Sequence, residues 1–120
     1  MSALDDVTVA ELVAIRNSFD KSHRVHAETM HKKYGGVKVK QMPVEFSPVD
    51  TVYMAIMNAV DEVYRGAVSA SKLVLDLCAE ILDLAHNIAI ELLDWPGIHL
   101  FVLKQFDTLI ENKKAATANA

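Results

Sequence analysis

A few groups of side chains in this 120-residue chain have the types and spacing to do chemistry. Glu80-Ile81-Leu82-Asp83 steps three residues between carboxylates, which puts both on one helix face, as a hard divalent cation requires. Glu28-x-x-His31 and Asp83-x-x-His86 repeat the carboxylate–imidazole spacing of di-metal helical bundles. Glu28 and His31 stand at a lysine-rich helix end that repels a cation, so both are read as solvated. His23 and His26, again three apart, fall at or beside core positions of the first helix. Such a pair in a polar seam titrates near neutrality and makes a pH-sensitive contact. Lys32, Lys33, Lys38 and Lys40 surround Tyr34 and a glycine pair, and together form a basic patch suited to an anionic surface.

The acidic pair carries a family resemblance. All-α nucleoside triphosphate pyrophosphohydrolases of the MazG-like kind bear E-E-x-x-E on one helix and E-x-x-D on the next. Glu80-Ile81-Leu82-Asp83 is similar to the second motif. The first would fall on Asn58-Ala59-Val60-Asp61-Glu62, which keeps only its last acid. The resemblance implies a magnesium-dependent hydrolase, in degenerate form, with Glu62, Glu80 and Asp83 as the remaining ligands. No nucleophile motif, P-loop, dinucleotide turn or C-x-x-C occurs elsewhere, and no pattern asks for a cofactor.

Composition narrows the classes further. Apolar residues are 52% of the chain and charged residues 23%, which is globular. A single cysteine, Cys78, excludes an internal disulfide and a cysteine-based zinc site, and suits a reducing cytoplasm. The acidic N-terminal stretch does not read as a signal peptide. The most apolar stretch, Leu73 to Leu93, is interrupted by Asp76, Glu80, Asp83, His86, Asn87 and Glu91, so no membrane segment is expected. The net charge of −4 arises entirely in the second half, whereas residues 21–40 are locally basic. Overall acidity and few arginines make nucleic acid an unlikely partner and a protein surface the better one.

Helices must position these groups. Thr8-x-x-Glu11 is a capping box with Val7 and Leu12 at the staple positions, and His31, Lys32 and Lys33 precede Gly35. A helix over 9–34 follows. Residues 37–46 alternate with period two and read as a short extended segment, loop or strand. Ser47-Pro48 starts the next helix. From there Val49, Ile56, Val63, Ala70, Leu77, Leu84 and Glu91 occupy d positions of a heptad, and Tyr53, Val60, Ala67, Val74, Ile81, Ile88 and Trp95 occupy a positions; every one of these sites from 49 to 88 is apolar.

This seam stays in phase through Gly66, so the pattern favours one helix over 48–95; a break near Gly66 makes a helical hairpin instead. A single helix of that length would reach about 70 Å. A compact chain of this size is only about 35 Å across, so the overhang would need another chain. Around Pro96 a last helix begins, with Ile98, Phe101, Val102, Phe106, Leu109 and Ile110 on one face. The expected architecture is all-α, with three or four helices in one domain over 1–112 and a disordered small-residue tail over 113–120.

The function that fits is non-enzymatic. The chain reads as a small cytoplasmic assembly or interaction protein that acts by self-association or by binding a larger protein. Its interaction seam would be Tyr53, Ile56, Val60, Val63, Val74, Leu77, Ile81, Leu84, Ile88 and Trp95, and its basic patch the four lysines. The pyrophosphohydrolase is the alternative.

Overall fold

Thr8 and Glu11 close the capping box that the sequence announces. The Glu11 amide donates to Thr8 Oγ1 and the Thr8 amide donates to Glu11 Oε1, each at 3.1 Å. The computed structural model describes residues 3–34, 48–65, 70–85 and 95–118. A 3₁₀ turn, Ala3–Asp6, leads into α1 (Val9–Tyr34), followed by α2 (Pro48–Tyr64), α3 (Ala70–Ala85) and α4 (Trp95–Ala118). The architecture is all-α, with no strand among the described residues. The segment 37–46 lies outside them. Thr8→Ala removes an amide acceptor at the exposed start of α1, so it should cost about 1 kcal/mol in urea unfolding without changing helix content.

The heptad stretch folds as a hairpin, not as one rod. Arg65 turns left-handed at φ 51°, and its amide donates to the Asp61 carbonyl at 2.7 Å, which closes α2. An arginine in that region costs about 1 kcal/mol, which packing of the two arms offsets. The molecule measures 47 × 28 × 23 Å, shorter than the rod would be. Both arms keep the heptad phase because each turns its a/d face to the same core. Val52, Ile56, Ala59 and Val60 from α2 meet Leu73, Val74, Leu77, Cys78 and Ile81 from α3 there. Cys78 is buried, and burial pushes its thiol up to about 11, so it packs as a small hydrophobe.

Helix α1 packs on α4 and α2, while α3 packs on α2, the N-terminal turn and α4. The apolar stripe of α1 is Leu12, Ile15, Phe19, His23, Ala27 and Met30, so His23 fills the gap after Phe19 and Ser22 is exposed. Polar clasps fix the arrangement at its edges. Arg16 pairs with Asp107 of α4 at 3.2 Å. Ser18 donates to Glu62 of α2, and the Tyr64 hydroxyl donates to Glu11. Burial and that bond push Tyr64 up to about 12. Helix α4 runs to Ala118, past residue 112 where the tail was expected. Lys113 explains part of this: its Nζ donates to the Leu4 and Asp5 carbonyls at 2.7 and 3.3 Å, tying α4 to the N-terminal turn.

Candidate functional site

The interface of α1 and α4 holds the two buried polar residues of the described core, His23 and His99, and the arrangement around them begins with a charge. Asp20 follows Phe19 at the edge of the buried stripe of α1. Arg24, one turn on, donates to both its oxygens at 2.8 Å, and Arg16, one turn back, stands at 3.8 Å. The third partner is His99 of α4, whose Nε2 lies 2.9 Å from Asp20 Oδ1. Burial alone would raise the Asp20 carboxyl; the bonds from His99 and Arg24 outweigh it and hold Asp20 below the usual carboxylate range.

Asp20 also assigns the protons of the buried imidazoles. A carboxylate only accepts, so His99 Nε2 carries the proton and donates it. His99 Nδ1 is then a bare acceptor, and His23 Nδ1, 2.8 Å away, must donate to it. His23 Nε2 is left as an unprotonated lone pair. Both rings are almost wholly buried, at 1% and 4% exposure for His23 and His99. Phe19 lies nearly parallel to both, with centroids 4.8 and 5.7 Å away. Burial, with His99 and His26 close by, pushes His23 down to about 4, so it is neutral at physiological pH. The expectation that this pair titrates near neutrality therefore fails for His23, because the core excludes the charged form.

His26 extends the cluster. Its ring meets Trp95 edge-on at 6.0 Å and 86°. His23 Nε2, His26 Nε2 and Trp95 Nε1 are buried without a hydrogen-bond partner. A cavity of about 250 Å³ opens between α1 and α2, lined by Ser22, His23, His26, Thr51, Met54, Ala55 and Asn58. The aspartate–imidazole relay resembles the orienting half of a hydrolytic triad, but the adjacent serine, Ser22, does not bond to it. Ser22 Oγ, the hydroxyl nearest along α1, donates to the Ser18 and Phe19 carbonyls.

The chain was compared with protein-family models, with curated proteins and with solved structures. It matches none of them significantly. The geometry therefore stands on its own for every predicted residue.

Of the seam, Ile56, Val60, Val74, Leu77, Ile81 and Trp95 are buried, and Tyr53 and Val63 are half-buried against the same core. These side chains are spent inside one chain. Trp95 does not end a central helix but begins α4. The side chain of Leu84, and Ile88, lie outside the described residues. So do Lys38, Lys40 and the side chain of Asp83, whereas Lys32 and Lys33 are exposed in the last turn of α1.

Of the pyrophosphohydrolase ligands, the structure describes the side chains of Glu62 and Glu80. Glu62 is exposed at the end of α2 and takes a hydrogen bond from Ser18, and Glu80 is exposed on α3. Among the described residues, no three His, Cys, Asp or Glu side chains gather to hold a metal ion. Glu28 and His31 are solvated, as expected.

Sequence reasoning missed Asp20 and His99. A signal for His99 existed: Trp95, His99, Val102, Phe106 and Ile110 recur at steps of three and four along α4. An imidazole in that row belongs to the core face.

Proposed function

We propose that this protein is a small non-enzymatic interaction protein that binds a larger protein through the basic end of α1. The observation that carries this reading is a division of labour on the molecule. The apolar heptad faces pack into the chain's own core, and His31, Lys32 and Lys33 stay exposed in one turn. Among the described residues neither lysine has an acidic partner within ion-pair distance. Lys38 and Lys40, a few residues on, add to the same charge. The positive end of the chain is thus available to a complementary acidic surface.

A second copy is a weaker version of the same partner, because Glu80 on α3 is exposed and acidic. No helix among the described residues is long and apolar enough to cross a membrane. The reducing cytoplasm is the compartment we assign, since Cys78 is a buried free thiol.

The test replaces Lys32, Lys33, Lys38 and Lys40 together with Gln. Stability should change by less than about 0.5 kcal/mol, because exposed charges contribute little to folding. Binding to a poly-glutamate probe should weaken about tenfold at low salt and converge with wild type at high salt. Light scattering of both proteins reports any self-association. A variant that melts early would show that the lysines are structural. Tighter binding to duplex DNA than to the acidic polypeptide, with a steep salt slope, would move the assignment to nucleic acid.

A further inference from the structure

Helix α1 walls a cleft on each of its flanks with the same few turns. On the α2 side Ser22 and His26 border the cavity of about 250 Å³, with Met54 and Ala55 opposite. On the α4 side Arg24, Ala27 and Glu28 border a second cleft of about 200 Å³, with Pro96, His99 and Leu100 opposite. Val25 is three residues from Ser22 and three from Glu28, so it stands on the ridge between the clefts. Among the described residues four large apolar side chains are exposed, and three of them stand here: Val25 at 63%, Met54 at 49% and Leu100 at 64%. Scattered singly they would need no explanation. Gathered on one face around two clefts, they mark a surface that another molecule covers.

The charge around this face is positive. Between residues 21 and 34 Glu28 is the only acid, against Lys21, Arg24, Lys32 and Lys33. Arg24 is spent on Asp20. Among the described residues the three lysines form no ion pair, and neither does Lys104, one turn beyond Leu100 on α4. Lys21 lies one turn before Val25 and Lys32 two turns after it, so both share its outward side. An occupant therefore has to bring carboxylates together with apolar side chains. It also has to satisfy its own backbone, because the face is built of helices and no strand edge is on offer among the described residues. A helix that is apolar on one side and acidic on the other meets both needs.

We propose that this face docks an acidic amphipathic helix of a partner protein, laid across α1 with apolar side chains in the two clefts and carboxylates on Lys21, Lys32, Lys33 and Lys104. The proposal rests on the basic end of α1 as the binding region and adds the apolar anchor that selects one class of acidic partner. Each cleft exceeds the cavity of about 150 Å³ that holds benzene, so each takes a leucine or methionine side chain. An anionic bilayer fits less well, because a flat surface does not fill two clefts divided by a ridge and Glu28 stands exposed among the lysines.

Two synthetic peptides of one composition, glutamate, alanine and leucine, serve as probes. In one, leucine recurs at every third or fourth position and gathers on one helix face; in the other the order is scrambled so that no such face forms. Titrated into the full chain, the patterned peptide should bind about tenfold more tightly than the scrambled one, the ratio expected from partly burying two or three apolar side chains. Amide spectra of the wild type should place its contacts around Val25, Met54 and Leu100. Val25→Ser, Met54→Ser and Leu100→Ser combined should bring the two peptides to equal affinity. The melting temperature and the affinity for poly-glutamate should be kept, since all three sites are exposed. Leu75→Ser, at an exposed site on α3 outside both clefts, should leave the preference intact.

Equal affinities in the wild type, with poly-glutamate still bound, would overturn the docking face and leave the basic end of α1 standing as a purely electrostatic site. Failure of the wild type to bind either peptide or poly-glutamate would overturn both readings. A preference that survives in the triple variant, or spectral changes away from these three residues, would place the helix elsewhere and overturn the proposal. So would tighter binding to phosphatidylserine vesicles than to the patterned peptide, which would make this face a membrane contact.

Discussion

Ile81→Asp is expected to leave the protein unfolded at 25 °C. Ile81 is 0% exposed on α3 and belongs to the apolar cluster that all four helices share. Its replacement removes a buried aliphatic side chain, worth about 2–3 kcal/mol. It also places a carboxylate where no described side chain offers a positive partner, at a further cost of several kcal/mol. The sum approaches the total stability of a small domain, about 5–15 kcal/mol. Circular dichroism should show lost helix, and thermal unfolding should lose its cooperative step. The neighbouring Glu80→Ala is the internal control: Glu80 is exposed, and its removal should shift stability by no more than about 0.5 kcal/mol. An Ile81→Asp protein that melts with the wild type would mean that the a/d face of α3 does not form the core.

Acid should weaken the fold well above the range where carboxylates titrate. In the unfolded chain His23 takes its proton near 6.5; in the folded chain burial, with His99 and His26 nearby, holds that step down to about 4. Between those values the unfolded state binds more protons, so stability is fully present above pH 6.5 and falls as pH drops toward 4. The difference integrates to about 3 kcal/mol at most, a large share of the total. Asp20 acts lower down: its carboxyl is held below its ordinary value, so its contribution is present above pH 3.8 and lost as pH falls further.

Among the described residues, the titratable groups acting on His23 are His99 from α4 and His26 on its own helix; Asp20, held by Arg24, reaches it only through His99, and the α2 residues lining the adjacent cavity are uncharged. Urea unfolding at pH 7 and pH 4.5 should therefore show a loss of about 2–3 kcal/mol in the wild type. His23→Gln starts less stable, since it disturbs the relay, but its pH dependence over that interval should be much flatter. Parallel pH profiles for the two proteins would show that His23 is not the group that carries the acid sensitivity.

Local signals decided much of this molecule. Thr8 and Glu11 mark the start of α1 because a capping box is made within four residues of chain, and the structure contains both of its hydrogen bonds. Pro48 and Trp95–Pro96 mark the starts of α2 and α4 for the same kind of reason: a residue without an amide proton suits a helix's first turn. The apolar periodicity correctly placed Ile56, Val60, Val74, Leu77 and Ile81 on an inner face. It could not say whose inner face. A heptad records that a helix side must be buried, and the chain's own hairpin and a second chain satisfy that requirement equally well. In the structure α2 ends at Arg65, whose backbone is left-handed although nothing in an arginine favours that conformation.

The site was less legible still. His23 could be seen at core spacing, but its proton state depends on Asp20 and on His99, which lies 76 positions further along the chain. Hydrogen-bond direction passes from carboxylate to imidazole to imidazole only once α1 and α4 are side by side. The sequence by itself determined an all-α fold, the faces of its helices and a locally basic end. Only the tertiary structure decided that the described part of the heptad packs in two helices against one core, and that a histidine expected to titrate near neutrality is a neutral acceptor, because burial and fixed neighbours set an imidazole's proton more strongly than its place in a helix.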